Sequence, residues 1–304
     1  MTETAKPLVA VIGLGSMGFG MATSLRRAGF EVTGCDVMAD SVARFVKDGG
    51  KDAKTPAEAA KAADIVISVV LNAAQTETIL FGKDGVSETL KKDAVFVSSA
   101  TMDPEVARRL AKELEATGRH YLDAPISGGA QRAAQGELTI LASGSPAAFA
   151  KARPVLDAMA AKLYELGDAP GQGAAFKMIN QLLAGVHIAA ASEAITFAAR
   201  QGLDLRKVYE VITASAGNSW MFENRMPHVI NGDYKPRSAV EIFVKDLGIV
   251  QDMARGARFP VPLASAALQM FLMAAASGMG RDDDASVARL YARIGGTTLP
   301  GEQK

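Results

Sequence analysis

The chain has 304 residues and a mass of 31.8 kDa, with 33 Lys and Arg against 33 Asp and Glu and a sequence pI near 6.9. A zero balance supplies no long-range pull toward phosphate backbones or acidic lipid, so neither nucleic acid nor a membrane surface is an expected partner. The single cysteine, Cys35, excludes an intramolecular disulfide, and the scattered His120, His187 and His228 make no zinc pattern, so no metal is expected.

Through the first half, short β-branched runs alternate with Ala-rich stretches of helical period. LVAVI (8–12), EVTGC (31–35), DIVISVV (64–70), AVFVSS (94–99), RHYLDA (119–124), ELTILA (137–142) and KLYEL (162–166) predict strands, and residues 16–28, 103–117 and 146–161 predict helices. Continuous apolar strands alternating with helices indicate a parallel sheet covered on both faces, with the strands from 138 onward open to antiparallel pairing. The first apolar run, 8–14, contains Gly13 and reads as a buried strand, not a signal-peptide core. Turn-forming Gly167-Asp168-Ala169-Pro170-Gly171 marks a boundary between domains at 1–168 and 169–304. Beyond it, residues 173–200 predict one long helix, apolar on all sides and expected at the centre of an all-helical domain. Its His187, Ser192 and Glu193 make it a poor bilayer span. Further helices are expected at 204–214, 238–257, 262–278 and 284–293. The expectation is a cytoplasmic protein.

LVAVI runs directly into Gly13-Leu14-Gly15-Ser16-Met17-Gly18 and a helix. This is G-x-G-x-x-G in the context its chemistry needs. Gly13 permits the tight turn, Gly15 lets backbone approach a pyrophosphate, Gly18 lets helix pack on strand, and the helix N-terminus offers unpaired N–H groups to phosphate. Asp36 closes the next strand, where a carboxylate accepts hydrogen bonds from ribose hydroxyls and repels the extra phosphate of NADP. With Val37, Met38 and Ala39 following and no arginine among them, NAD is the expected cofactor; capping of the next helix is the competing role for Asp36. The expected fold class is α/β, an N-terminal Rossmann doubly wound sheet followed by an all-α domain.

Ligands of open α/β sheets bind at the carboxyl ends of strands. Leu71 and Asn72 follow the third predicted strand, and Thr101 follows the fourth. Asp103-Pro104 competes as the cap of the helix after Thr101, which leaves Thr101 for cofactor contact. Ser127-Gly128-Gly129, after the fifth, can present consecutive N–H groups to a carboxylate, with a plain turn as the alternative. Lys177 and Asn180 are spaced i, i+3 and share a helix face among Phe176, Met178, Ile179, Leu182 and Leu183. Most helix lysines are solvated. Here alcohol oxidation needs a base, and no zinc constellation or other suitable histidine competes with Lys177.

Four motifs carry a resemblance over essentially the whole chain: GLGSMGFGMA (13–22), DAPISGGAQRAAQGEL (123–138), GQGAAFKMINQLL (171–183) and VKDLGI (244–249). The chain resembles the β-hydroxyacid dehydrogenases of the 3-hydroxyisobutyrate dehydrogenase family. The resemblance implies a Rossmann domain, an all-α domain joined to it by a long interdomain helix, and metal-free NAD(P)-dependent alcohol oxidation. It also implies Lys177 as the catalytic residue, Ser127, Gly128 and Gly129 as carboxylate anchors, Asn180 as a substrate ligand, and Thr101 and Lys245 as cofactor contacts. Gln181 stands where the family often has a second Asn and is read as a substrate contact there. The stretch AGNSWMFENRMPHVINGDY (216–234), running on into SAVEIFVKDLGIV (238–250), resembles bacterial members that oxidise the four-carbon sugar acid L-threonate at C2. Asn218, Ser219 and Asn224 around Trp220 are candidate readers of its remaining hydroxyls, although Trp220, Met221 and Phe222 are more often core or interface residues. Reduction of tartronate semialdehyde and oxidation of 3-hydroxyisobutyrate are the alternative activities. A non-catalytic dinucleotide-binding interaction module and an imine reductase are weaker ones, since those relatives lack the lysine. The apolar helical domain suggests a homo-oligomer.

Overall fold

In the computed structural model, which describes residues 6–302, nine strands form one sheet. They are β1 (Val9–Ile12), β2 (Val32–Cys35), β3 (Lys51–Asp52), β4 (Ile65–Ser68), β5 (Val95–Ser98), β6 (His120–Asp123), β7 (Ile126–Ser127), β8 (Leu138–Gly144) and β9 (Ala160–Glu165). The order is β3-β2-β1-β4-β5-β6-β8-β7, with β9 also on β8. Pairing is parallel from β3 to β6; β8 lies antiparallel to β6 and β7, and β9 runs parallel to β8. The seven expected strands are present. The two-residue β3 and β7 were not expected, because segments that short carry no period.

The helices of this unit are α1 (Ser16–Arg27), α2 (Ala39–Lys47), α3 (Pro56–Ala60), α4 (Ala73–Phe81), α5 (Pro104–Glu115), α6 (Gly129–Gln135) and α7 (Pro146–Asp157). Alternation along the strands splits their side chains between two cores. Val9, Val11, Ile67, Val97 and Leu122 pack with Met21, Leu25, Phe149 and Val155 of α1 and α7 on one face. Ala10, Ile12, Val66, Phe96 and Tyr121 pack with Leu80, Leu110 and Leu114 of α4 and α5 on the other. The helix expected to reach residue 161 stops at Asp157, and β9 begins at Ala160.

The chain divides into two compact units, the first running to Lys177 and the second from Met178. Helix α8 (Gln172–Arg200) begins in the first and continues into the second, followed by α9 (Leu205–Thr213), α10 (Trp220–Asn231), α11 (Val240–Gly256) and α12 (Pro262–Ala274). A π turn extends α12 over Ala275–Met279, and a 3-10 turn at Asp284–Ser286 leads into α13 (Val287–Gly295). In the second unit Ile188 of α8 packs with Phe243 and Leu247 of α11 and Phe271 of α12, while Ile195 packs with Phe222 and Met226 of α10 and Ala288 of α13. A side chain at Gly185 would come within 2.9 Å of Leu247, so glycine sets that close approach. Helix α10 was missed because Pro227 interrupts its pattern. Helix α8 is less enclosed than its composition suggests, with Phe176, Ile179 and Phe197 more than half exposed and Leu183 nearly so. It and the segment Pro262–Met279 have the length and mean hydropathy of membrane spans; the buried hydroxyls of Ser192 and Thr196 show that α8 is not uniformly apolar inside.

Candidate active site

The strand order turns back between β1 and β4, the switch point at which open α/β sheets bind ligands. The glycine-rich loop lies there. Gly13 has φ +95°, and a Cβ on it would sit 2.2 Å from the Val69 carbonyl oxygen; one on Gly18 would sit 1.8 Å from the Gly13 oxygen. At Gly15 a Cβ would meet nothing within 4 Å. Two glycines therefore close the turn and the third leaves open space in front of α1. That helix has no side-chain cap and no acid in its first turn, so its N–H groups and positive dipole end are presented to an anion. These are the features a dinucleotide pyrophosphate requires, and the residues fit it.

Asp36 lies beside this loop. Its Oδ2 accepts from the Leu14 N–H at 2.5 Å and its Oδ1 from the Met38 N–H at 2.7 Å. Helix α2 is capped at Met38 without a side-chain bond, so Asp36 is not its cap. A carboxylate oxygen has two acceptor positions, and each oxygen of Asp36 keeps one for a ribose hydroxyl. Of the other expected cofactor contacts, Ser16 is exposed at the helix start and Met17 packs against the core. Leu14 is buried, with its N–H already committed to Asp36. Asn72 caps α4, accepting from the Gln75 N–H at 2.9 Å, while the Gln75 side chain accepts from the exposed Leu71 N–H. Thr101 is half-buried after β5, and Asp103 with Pro104 caps α5 as the sequence suggested.

Ser127 ends β7, and Gly128 and Gly129 take φ of +137° and +76°, the region glycine alone enters freely. They open α6, which also lacks a side-chain cap. Beside this loop stands Lys177, 7% exposed, whose Nζ donates to the Ile126 carbonyl at 2.8 Å. The bond fixes the amine beside the residue that precedes the Ser127–Gly129 turn.

The start of α8 is held by a residue that sequence reasoning passed over. Asp123 is 1% exposed, and its Oδ2 accepts from the N–H groups of Gly171 at 3.0 Å and Ala174 at 2.8 Å and from Ser143 Oγ at 3.3 Å. Burial pushes its pKa up to about 6 against these bonds and the Arg108 charge. An Asp closing a strand was the only signal, and it did not reveal partners 48 and 51 residues away.

In the second unit, exposed Asn180 donates from Nδ2 to Gln181 Oε1 at 2.9 Å. Buried Gln181 donates in turn to Asp246 Oδ2, and Lys245 pairs with Asp246 Oδ1. Gln181 thus orients Asn180, and Asp246, 1% exposed, is not on the solvated face that adjacent Lys and Asp usually occupy. The polar residues around half-exposed Trp220 are engaged locally: Ser219 caps α10, Asn218 donates to Thr213 O and Glu223, and Asn224 accepts from Arg225. His228 pairs with Asp283 and His120 with Asp93. Among the described residues no group of three His, Cys, Asp or Glu side chains could hold a metal ion.

Comparison with known proteins adds the following. The family model for the NAD-binding domain of 6-phosphogluconate dehydrogenase matches residues 8–167, and that for the NAD-binding region of NADP-dependent 3-hydroxyisobutyrate dehydrogenase matches 171–291. An L-threonate dehydrogenase from Cupriavidus necator is 51% identical over 97% of this chain and 98% of its own. The mitochondrial 3-hydroxyisobutyrate dehydrogenase of Mus musculus is 32% identical over 93% of this chain and 86% of its own. A crystal structure described as 3-hydroxyisobutyrate dehydrogenase from Salmonella typhimurium superposes with a TM-score of 0.90 at 49% identity, covering 94% of this chain and 100% of that one.

Proposed function

The chain belongs to the 3-hydroxyisobutyrate dehydrogenase family of hydroxyacid dehydrogenases, and from that membership we propose that it oxidises L-threonate at C2 to 2-oxo-tetronate, with Lys177 as the base. It is an NAD-dependent oxidoreductase acting on small hydroxy acids. The choice of L-threonate is supported by the 51% identity to a dehydrogenase of that name and by the 216–234 stretch.

The backbone N–H groups of Ser127, Gly128 and Gly129, at the uncapped start of α6, bind the substrate carboxylate. Lys177 takes the C2 hydroxyl proton through Nζ, and in the reverse direction its ammonium returns that proton to the forming alcohol. The Ile126 carbonyl holds Nζ throughout by accepting one of its N–H groups. NAD, when bound, supplies the hydride acceptor. Gly15 and the first turn of α1 hold its pyrophosphate, Asp36 its adenosine ribose, and Leu71, Asn72, Thr101 and Lys245 complete its contacts. Asn180, set by Gln181, orients the substrate hydroxyl. A site built to bond hydroxyls rejects analogues that lack them, because its own polar groups are then left unpaired. We also propose a homo-oligomer in the cytoplasm; the exposed apolar side chains Leu203, Phe259, Leu263 and Ile294 of the second unit are surface that such an assembly could cover.

The observation that carries this reading is the nearly buried Lys177 amine fixed against the loop that precedes Ser127. NADH production from L-threonate, D-threonate, erythronate and 3-hydroxyisobutyrate tests the substrate, with L-threonate expected to give the highest kcat/KM. If 3-hydroxyisobutyrate exceeds it, the substrate assignment falls and the reaction class stands. Lys177→Ala is expected to lower kcat by about 10²–10⁴-fold with NADH affinity retained, and near-wild-type turnover would remove the lysine from the chemistry.

A further inference from the structure

Helix α8 begins with Gly171-Gln172-Gly173-Ala174, a start with no Ser, Thr, Asp or Asn to cap it. Its first N–H groups are satisfied from the sheet instead. Asp123 Oδ2 receives those of Gly171 and Ala174, and Ser143 Oγ receives that of Gly173 while donating to the same Asp123 oxygen. Asp123 and Ser143 are register partners at the adjoining ends of β6 and β8, so one edge of the sheet holds three N–H groups at the start of the helix. The approach is as close as backbone allows, since a Cβ on Gly173 would sit 2.3 Å from the Leu141 carbonyl oxygen and 2.7 Å from that of Asp123. Lys177 lies three residues beyond Ala174, less than one helical turn along.

We propose that Asp123 is a positioning residue for the reaction: its carboxylate replaces the missing cap of α8 and thereby sets where the Lys177 amine stands beside Ile126 and the Ser127–Gly129 loop. The proposal rests on Lys177 being the catalytic group. A carboxylate accepting backbone N–H groups at a helix N-terminus makes charge-assisted bonds about twice as strong as neutral ones. Protonation of Asp123, whose other oxygen has no hydrogen-bond partner, would leave Oδ2 as a neutral acceptor and loosen the grip without abolishing it.

The groups facing Asp123 are few. Arg108 of α5 acts on it from one side, the Tyr121 phenol lies on its own strand, and β5 and β8 present the hydroxyls of Ser98 and Ser143. Helix α7 packs on the opposite face of β6, with Leu122. Burial raises the carboxyl to about 6, above the ordinary aspartate value near 3.9. Between those values the folded chain holds a proton that the unfolded chain releases, so this group's contribution to stability grows as pH falls from 6 toward 4. Acid should therefore slow the enzyme without this group weakening the fold.

The test is kcat against pH in the direction of reduction, NADH with 2-oxo-tetronate, where Lys177 must be protonated and its own titration removes activity only on the alkaline side. Wild-type kcat is expected to fall as pH drops through about 6. Asp123→Asn, which imitates the protonated carboxyl, is expected to show kcat about tenfold lower near pH 8 and no acid limb. KM and NADH affinity should stay within about twofold, because the residue touches neither ligand. A D123N enzyme with wild-type kcat and the same acid limb overturns the proposal. If that variant does not fold, the wild-type amide proton resonances of Gly171 and Ala174 decide: they should titrate together near pH 6, and constant shifts overturn it. Lys177→Ala assayed in parallel separates the two readings, because an active K177A sinks the lysine mechanism while the amide titration still reports the tether.

Discussion

Replacing Asp36 by Ala tests the cofactor site with little threat to the fold. The carboxylate accepts two backbone N–H groups, one from exposed Met38 and one from Leu14, whose side chain is buried but whose bond to the half-buried Asp36 is only partly shielded, so water can take its place. Their loss should cost about 1 kcal/mol of stability each at most, a Tm decrease of a few degrees. The effect on NAD is larger, because the two remaining acceptor positions are those assigned to the ribose. Charge-assisted bonds contribute about 1.5–3 kcal/mol each. Partial replacement by water brings the expected net loss to about 2–3 kcal/mol, roughly 30–150-fold in kcat/KM for NAD. NADP should improve in the same variant, since the charge that repels its additional phosphate is gone. Steady-state kcat/KM for both dinucleotides at saturating hydroxy acid, with a thermal melt as control, measures the ratio. Asp36→Asn should fall between wild type and Ala. An unchanged NAD/NADP ratio in the Ala variant would refute the assignment.

Two further outcomes follow from groups remote from the chemistry. Asp284 is fully buried and binds Arg225 through both oxygens, at 2.6 and 3.0 Å. Asp284→Asn leaves that guanidinium, itself only 11% exposed, without the carboxylate it bonds, and only the more distant charge of Asp283 still acts on it. A loss of about 3–5 kcal/mol in urea unfolding is expected, with much of it restored when Arg225→Met is added; additive losses would contradict the pairing. Cys35 is buried at the end of β2, and burial together with the Asp36 and Glu58 charges pushes its thiol up to about 11. An aromatic disulfide reagent near neutral pH should leave it unmodified until denaturant is added, and rapid labelling of the native protein would show that this edge of the sheet opens.

What could be read from the chain and what could not divide along sequence distance. Strand, glycine loop and helix at 9–27 are one contiguous signal, and Asp36 is the next strand's last word, so the dinucleotide cradle was legible before any packing was known. Lys177 was legible by elimination and through the family resemblance of residues 171–183, not from anything that shows its surroundings. Its defining contact, the Ile126 carbonyl, is 51 residues away and is a backbone atom that every residue type possesses. The same holds for Asp246, whose neighbour Lys245 drew attention while its grip on Gln181, 65 residues distant, had no local mark. Helix α8 shows the converse error. Its composition predicted burial on every side, yet Phe176 and Ile179 stand more than half exposed, since apolar character permits burial without requiring it.

These gaps have one physical origin, and it bears on how the site is built. The candidate site residues come from local motifs, but the buried polar bonds that hold them join segments far apart in the chain. The uncapped start of α8 makes this concrete. With Gly171 and Gly173 at its start the helix has no Ser, Thr, Asp or Asn of its own there to accept from those N–H groups, and the close backbone contacts at Gly173 leave no room to add one. The capping charge must then come from the sheet, at the cost of burying a carboxylate. That cost is visible as the raised pKa of Asp123. A helix capped by its own serine would avoid it, but such a cap would travel with the helix and leave Lys177 free to shift against Ile126. Only a cap rooted in β6 ties the lysine's height to the sheet that carries both Ile126 and the dinucleotide loop.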